Sequence, residues 1–370
     1  MQVPAARRSG LICSSMLPPG KGSQHMRFTV LCATLTLLAS TAAGCGYDNS
    51  GPASPPPAPQ PDGLWTASAS PEGILRLAPS QLSGTGDLVP ARTITTPSAR
   101  ISTLVGMAFD EAGSLWVASQ DDSLLLRFGQ ASLATSGSTA ATAVIAPTAG
   151  SLSGPTSLAF DAAHRLWVAN RSNGTLVRFD PAQLAAGGDP APPVILSGLG
   201  LPTAIAFDAA GSLWVSDSRA NTVAKYSATD LAASGSPAPT VLLSSAATSL
   251  VKPSGLAFDA SGNLWVANTS LDNLVAFSPD QLVHSGSPAP HLVIGVIGSN
   301  AESVVKPVGL AFDGGGSLWV VGGGGSLIEY AAASLQASGR PEPRARLQLA
   351  GRSQLWSVAF WPKPPGLPIN

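Results

Sequence analysis

The sequence predicts an all-β fold: a six-bladed β-propeller of four-stranded blades, its ring closed by N- and C-terminal segments in one blade. Three observations predict it. A phrase of the form Gly-Leu-Ala-Phe-Asp repeatedly precedes Leu-Trp-Val, with Phe109, Phe160, Phe207, Phe258 and Phe312 each seven residues ahead of Trp116, Trp167, Trp214, Trp265 and Trp319. An internal period of about fifty residues marks a repeat architecture. Two end fragments supply a sixth copy: Ser357-Val358-Ala359-Phe360 has no Leu-Trp after it, and Leu64-Trp65 has no Phe strand before it. Joining them closes a ring and removes the open sheet edges that template aggregation. Gly366-Leu367-Pro368-Ile369 competes with Leu64-Trp65 for the second strand of that copy, but Pro368 lacks the backbone N–H of a ladder residue. Finally, twelve residues separate the Trp from the aromatic or Leu ending the third strand in five copies, as in Trp65 to Leu77 and Trp265 to Phe277; Trp319 to Tyr330 is one shorter.

The fourth copy gives the elements in order. Strands are predicted over 254–258, 263–268, 273–277 and 291–294, each a short apolar or alternating run bounded by turn residues. Between the first two lies Asp-x-x-Gly, here Asp259 and Gly262, in which Asp caps the turn and Gly takes the left-handed position. His164 replaces that Gly in one copy and tolerates the same region. After the third strand, Asp180-Pro181-Ala182-Gln183-Leu184 and its counterparts read as an N-cap, a first helical position and one helical turn. A Leu recurs there at Leu82, Leu133, Leu184, Leu231, Leu282 and Leu335. The Ser-Gly-x-Pro-x-Pro phrase, as at 234–239, reads as a rigid return to the outer strand.

Residues 1–45 read as targeting rather than fold: an upstream extension, then Met26-Arg27 and an apolar run ending Ala42-Ala43-Gly44-Cys45. That ending resembles the lipobox of bacterial lipoproteins, with Ala42 where Leu is usual. The resemblance implies cleavage before Cys45, lipidation of Cys45 and a membrane anchored through that lipid. An ordinary signal peptide cleaved near Ala43 is the rival. Gly46, rather than Asp, follows the Cys, which implies the outer membrane of the envelope. Cys13 and Cys32 fall in the removed part, so neither a disulfide nor a Cys metal site is expected. Residues 46–61 form a Pro-rich, semi-rigid tether, and 62–370 form the propeller. Of 20 basic residues 16 lie past Cys45, with all 21 acidic ones, for a net charge of −5. No basic stripe exists, so no nucleic-acid partner is expected.

The unit at 253–268, Pro-x-Gly-Leu-Ala-Phe-Asp-x-x-Gly-x-Leu-Trp-Val-Ala-Asn, resembles the NHL repeat. The resemblance spans 62–361 and implies fold more than role, since NHL-type propellers serve many functions. The Gly-x-Leu-Trp element is also similar to streptogramin lyases, seven-bladed enzymes with a metal and a catalytic His. Six-bladed gluconolactonase-like enzymes are a third relative, holding a divalent cation at the channel mouth with Glu, Asp and Asn. His164, His284 and His291 fall in framework turns or an outer strand and match no catalytic position.

The recurring Trp read as blade-to-blade packing rather than an aromatic cage, because each copy has one at a fixed position. Asp110, Asp161, Asp208, Asp259 and Asp313 read as turn caps rather than calcium ligands, which need alternating oxygen donors. The innermost strands are entered by Pro155-Thr156, Pro202-Thr203, Pro253-Ser254 and Pro307-Val308, with no carboxylate or His. Acid–base or metal chemistry needs titratable groups that converge. One face carries the uniform Asp-x-x-Gly turns. The other varies from copy to copy, as unconstrained solvated turns do, but also as binding loops on a rigid scaffold do. The expectation is a non-catalytic binding or scaffold module without a cofactor. It would recognise a protein or an envelope polymer through a rim of Asp121, Asp122, Arg171, Asp217, Arg219 and Asp272. The alternative is a metal-dependent, lactonase-like hydrolase or lyase. It places a divalent cation on Asn170, Asp217 and Asn268, equivalent positions in three successive copies, with a fourth ligand from Glu72, Glu302 or Glu329.

Overall fold

The computed structural model describes residues 63–97, 102–146, 150–244, 249–296 and 306–364. The chain divides into Met1–Pro55 and Pro56–Asn370, and every described residue belongs to the second unit. Cys45, the Pro-rich tether, Glu302 and Gly366-Leu367-Pro368-Ile369 lie outside the described residues.

Six antiparallel blades follow one another around a ring. Their innermost strands are Leu104–Phe109, Pro155–Phe160, Pro202–Phe207, Pro253–Phe258, Pro307–Phe312 and Gln354–Trp361, which number the blades from one to six. Blade four continues with Leu264–Asn268, Asn273–Phe277 and Leu292–Gly295, the expected strands apart from their end residues. Blade six joins the two ends of the described chain. Gln354–Trp361 pairs with Gly63–Ser70 so that Leu64 faces Phe360 and Trp65 faces Ala359. Blade four has the same register within continuous chain, Leu264 facing Phe258 and Trp265 facing Ala257.

Three concentric sets of contacts bind each blade to the next. At the axis, Thr156, Thr203 and Ser254 donate their hydroxyls to the carbonyls of Pro202, Pro253 and Pro307, at 3.3, 2.9 and 3.1 Å. Neighbouring inner strands approach so closely that a Cβ on Gly255 would lie 2.8 Å from the Val308 carbonyl oxygen. The same approach, 2.7 Å to a neighbouring carbonyl oxygen, holds at Gly106 and Gly309. It accounts for Gly in those three copies, whereas Ser157, Ala204 and Ser357 carry a Cβ at the equivalent position.

The middle set is aromatic. Trp65, Trp167, Trp214, Trp265 and Trp319 meet Phe109, Phe207, Phe258, Phe312 and Phe360 of the following blade edge-on, with centroids 6.0–6.5 Å apart. Trp116 and Phe160 share one buried cluster. The indole N–H groups do not stay unpaired. Each Asp of the Asp-x-x-Gly turns accepts one on Oδ2, as in Trp214 to Asp208 at 3.0 Å and Trp265 to Asp259 at 3.0 Å. The other oxygen, Oδ1, accepts turn N–H groups, those of Ser261 and Asn263 in blade four. His164 takes the turn's left-handed position with φ 59°.

The outer set was not legible as such. The Ser-Gly of each return segment, or Gly187-Gly188 in blade two, reaches back to the outer strand of the preceding blade. Gly188, Gly235, Gly286 and Gly339 form parallel bridges to Ile145, Leu196, Leu243 and Ile294. Gly137 does the same to Ile94, and Gly84–Leu88 lies along Ala345–Leu349. Ser136, Ser234, Ser285 and Ser338 accept an outer-strand N–H in four of these clasps. Each outer edge is thereby covered rather than left to pair with another chain. The helical turns before the clasps bury Leu133, Leu184, Leu231, Leu282 and Leu335. They are fastened by Gln81, Gln183 and Gln281, whose Oε1 accepts a backbone N–H three residues earlier.

Asp259→Ala removes both the turn cap and the acceptor of a buried indole N–H, so unfolding in urea should show a loss of about 2–4 kcal/mol. Asp259→Asn keeps a capping oxygen but presents an amide to the indole. Its smaller loss, about 1–3 kcal/mol, isolates the tether to Trp265.

Candidate functional site

The inner strands surround a cavity of about 430 Å³. Its collar is one apolar side chain per blade, Met107, Leu158, Ile205, Leu256, Leu310 and Val358, at one repeated position. Thr156, Thr203 and Trp356 line it toward the variable face. At the opposite end the inner strands finish and the uniform turns begin. There the cavity is lined by Asp110, Glu111, His164, Trp361 and Lys363. His164 Nε2 lies 3.1 Å from Glu111 Oε2, an ion pair when the imidazole is protonated. Asp110 is held by the Trp116 indole and by Arg127. Partial desolvation at the cavity mouth lowers the Lys363 ammonium pKa from the usual lysine value, although the side chain is exposed at its surface. The inner strands themselves bear no titratable side chain within this cavity, as read from the sequence. The titratable groups come from the turns just beyond them. Sequence reasoning set these turns aside as framework, although the residues after Phe109 and Phe360 must converge wherever inner strands converge.

On the variable face, the structure places the expected rim residues at the edges of blades one to four. Asp122 accepts from the Ser102 backbone N–H at 2.7 Å and from the Ser119 hydroxyl. Asp272 accepts from the Lys306 backbone N–H at 3.0 Å, tying blade four to the entry of blade five. Asp121 accepts from Thr103 Oγ1. Arg171 and Arg219 are exposed, and their guanidinium groups have no partner among the described residues. Two cations join them that the sequence did not single out. Lys252 and Lys306 are exposed at the entries to blades four and five, on left-handed backbone with φ 51° and 44°. The repeated Asn or Asp that holds the next crossover, Asn221 for Lys252 and Asp272 for Lys306, accounts for that geometry.

Asn170, Asp217 and Asn268 end the second strands of blades two, three and four, each opposite the Pro that opens its inner strand. All three are buried and perform one task. Asn170 accepts from the Ser153 N–H and donates to the Ser151 carbonyl at 2.8 Å. Asn268 accepts from the Val251 N–H and donates to the Ser249 carbonyl at 2.7 Å. Asp217 accepts from the Gly200, Arg219 and Ala220 N–H groups at 2.8–2.9 Å. Their oxygens are committed to backbone donors, a set that fastens crossovers and does not fit a divalent cation. Among the described residues no three His, Cys, Asp or Glu side chains gather as a ligand set. Glu329 does not supply the fourth ligand. It faces Trp319 across the sheet, three residues along the strand from Gly322, the counterpart of Asn268, or about 10 Å away. Glu72 is exposed at the far end of its hairpin.

Glu329 stands where Arg127, Arg178 and Lys225 stand in other blades, opposite the repeated Trp. In blade three the cation serves the framework, with Lys225 Nζ 3.2 Å from Asp208 and 5.3 Å from the Trp214 ring centroid. Burial first, and Asp313 as well, raise the Glu329 pKa, against a Ser317 hydrogen bond and the Arg344 guanidinium, which lower it.

Comparison with known proteins gives a likeness of fold. No family model matches the chain, and no curated protein does. Among solved structures, a nidogen/laminin complex aligns at 14% identity, covering 80% of this chain and 96% of that one, with a TM-score of 0.53. The WD40 β-propeller domain of Doa1 aligns at 12% identity over 80% of this chain and 81% of that one, with a TM-score of 0.50. A streptogramin B lyase aligns at 12% identity, covering 69% of this chain and 72% of that one, with a TM-score of 0.47. The chain is a β-propeller whose structural neighbours range from a lyase to propellers of other kinds.

Asn268→Asp replaces the Nδ2 donor with an oxygen facing the Ser249 carbonyl and the Asn273 amide oxygen. Its melting temperature should fall, by an amount corresponding to about 2–3 kcal/mol, and added calcium, magnesium or manganese should not restore it. Rescue by any of these ions would reinstate a cation site. Glu329 gives a pH signature. A carboxyl whose folded pKa is raised binds its proton more tightly in the folded state. Its contribution is present at low pH and is lost as pH rises through the folded value. Wild type should therefore lose stability relative to Glu329→Gln between the usual carboxylate range and neutrality, as followed by urea unfolding at a series of pH values.

Proposed function

We propose that this chain is a non-catalytic binding or scaffold propeller, held at a bacterial envelope by a lipid on Cys45. It engages a protein or an envelope polymer through its variable face. The observation that carries this reading is the contrast between the two faces. On the uniform face, the repeated carboxylates are consumed by indole and turn N–H groups within their own blades. On the variable face, Arg171 and Arg219 stand exposed without a side-chain partner, beside Lys252 and Lys306. These four cations follow one another from blade two to the entry of blade five. The buried fasteners beneath them keep their loops in place. A rigid platform with unpaired charge at its edge is suited to a partner with acidic groups, and electrostatic complementarity sets encounter rate and specificity.

The lipid reading rests on the sequence alone, on Ala42-Ala43-Gly44-Cys45 and the Pro-rich stretch that follows it. A tether of 46–61 in extended form spans roughly 3 Å per residue and would hold the propeller away from the bilayer.

A photo-crosslinking residue at Arg171 or Arg219 should yield adducts in intact cells, and one at Ala210 or Ala260 on the uniform face should not. Arg171→Glu combined with Arg219→Glu should abolish adducts formed from Ser172 without moving the melting temperature. Equal adduct formation from both faces would refute the variable-face reading. For the anchor, Cys45→Ala should end incorporation of radiolabelled palmitate and shift the protein from the membrane fraction to the soluble fraction.

A further inference from the structure

The axial cavity is a second feature, separate from the rim of the variable face. Six inner strands each contribute one apolar side chain to its collar. The hydroxyls near that collar are turned into the wall. Thr203 donates to Pro253, Ser157 accepts from the Ile205 N–H, and Ser357 donates to the Val105 carbonyl. Water in such a collar has few partners, so an apolar group replaces it favourably.

The end of the cavity at the uniform turns is different. Trp361 occupies the position that Asp holds after the inner strand in the other five blades. It stacks on Phe109 with centroids 5.2 Å apart and packs over the Asp110–Gly113 turn, where a Cβ on Gly113 would lie 2.6 Å from the ring. This aromatic wall brings Lys363 to the mouth. The charged groups facing the mouth are Asp110, Glu111, His164 and Lys363. Asp110 is balanced by Arg127, and Glu111 lies against His164, which bears a charge only when protonated. Lys363 has no carboxylate partner among the described residues. An apolar shaft with a cation at its mouth that no carboxylate contacts has the chemistry of a site for an amphipathic anion.

We propose that the axial cavity binds a small monocarboxylate with an apolar body, the body seated in the collar of Met107, Leu158, Ile205, Leu256, Leu310 and Val358 and the carboxylate at Lys363. A cavity of about 430 Å³ holds a bicyclic aromatic acid or a medium-chain fatty acid and excludes folded partners. No covalent step is involved.

Isothermal titration calorimetry of the purified protein tests this with 1-naphthoate, octanoate and the neutral 1-naphthamide. The acids should bind at one site per chain, and the amide should bind roughly tenfold more weakly or not at all. Lys363→Met keeps the apolar stem of an exposed side chain and should weaken naphthoate binding by roughly tenfold or more. A thermal melt of Lys363→Met without ligand reports whether the variant is folded, and the comparison of naphthoate with naphthamide on the wild type decides the matter if it is not. Binding of the amide as tightly as the acid, undiminished binding to Lys363→Met, or no heat from either acid at millimolar concentration would each overturn the proposal.

Discussion

Everything in this fold depends on one relay that runs around the ring. A Phe ends an inner strand, and the Asp next to it in sequence holds the indole N–H of its own blade's Trp. That Trp packs edge-on against the Phe of the next blade, where the pattern begins again. Each edge-to-face pair adds about 0.5–1.5 kcal/mol beyond its buried area. The indole nitrogen would be costly if left unpaired so far inside, and the Asp removes that cost while capping its turn. Because every link joins two blades, the relay transmits position as well as stability. A blade cannot rotate without misplacing the ring that its neighbour packs against.

The relay explains why the closing blade needs a different solution. Its Phe360 is followed by Trp361 where Asp would stand. Trp361 stacks on Phe109, so the seam gains a second aromatic contact with blade one, beside the one between Trp65 and Phe109. The strand register across the seam is that of the covalently continuous blades. The two chain segments therefore meet through the ordinary sheet ladder, and the join is reinforced at its aromatic layer. The outer clasps continue across it as well, with Gly84–Leu88 of blade six on Ala345–Leu349 of blade five and Gly137 of blade one on Ile94 of blade six.

Much of this was legible from the sequence because repetition separates constraint from accident. The Phe-to-Trp interval, the Asp-x-x-Gly turn and the recurring Leu mapped onto strand pairing, turn capping and buried helical turns. Contacts between copies were harder to read. The clasp made by Ser234 and Gly235 joins residues about forty positions apart, and no local periodicity reveals it. The same holds for the candidate sites. Asp122, Asp217 and Asp272 read as loop carboxylates, but the backbone donors they bind come from crossovers seventeen to thirty-four residues away. Lys252 and Lys306 passed unnoticed because their exposure follows from left-handed backbone set by those same crossovers. Glu111 and Lys363 lie at opposite ends of the chain's propeller segment, and only ring closure brings both to one cavity.

Ring closure also breaks the symmetry of the axis. The hydroxyl-to-proline contacts occupy blades two, three and four, where Thr156, Thr203 and Ser254 stand. In blades five, six and one the same position is Val308, Trp356 and Val105, and no hydroxyl is available to make the contact. The apolar half of the axis is therefore the half that contains the seam, and the seam also supplies Trp361 and Lys363 at the mouth. A six-fold framework would present six equal walls and could hold a ligand only by symmetry or by chance. Here the framework is satisfied on one side by polar contacts between blades and on the other by bulky apolar packing. The departures from the repeat concentrate where the two ends of the propeller meet. Such departures cost the framework a set of contacts that other blades retain, and they leave an oriented cavity in which one wall differs chemically from the other.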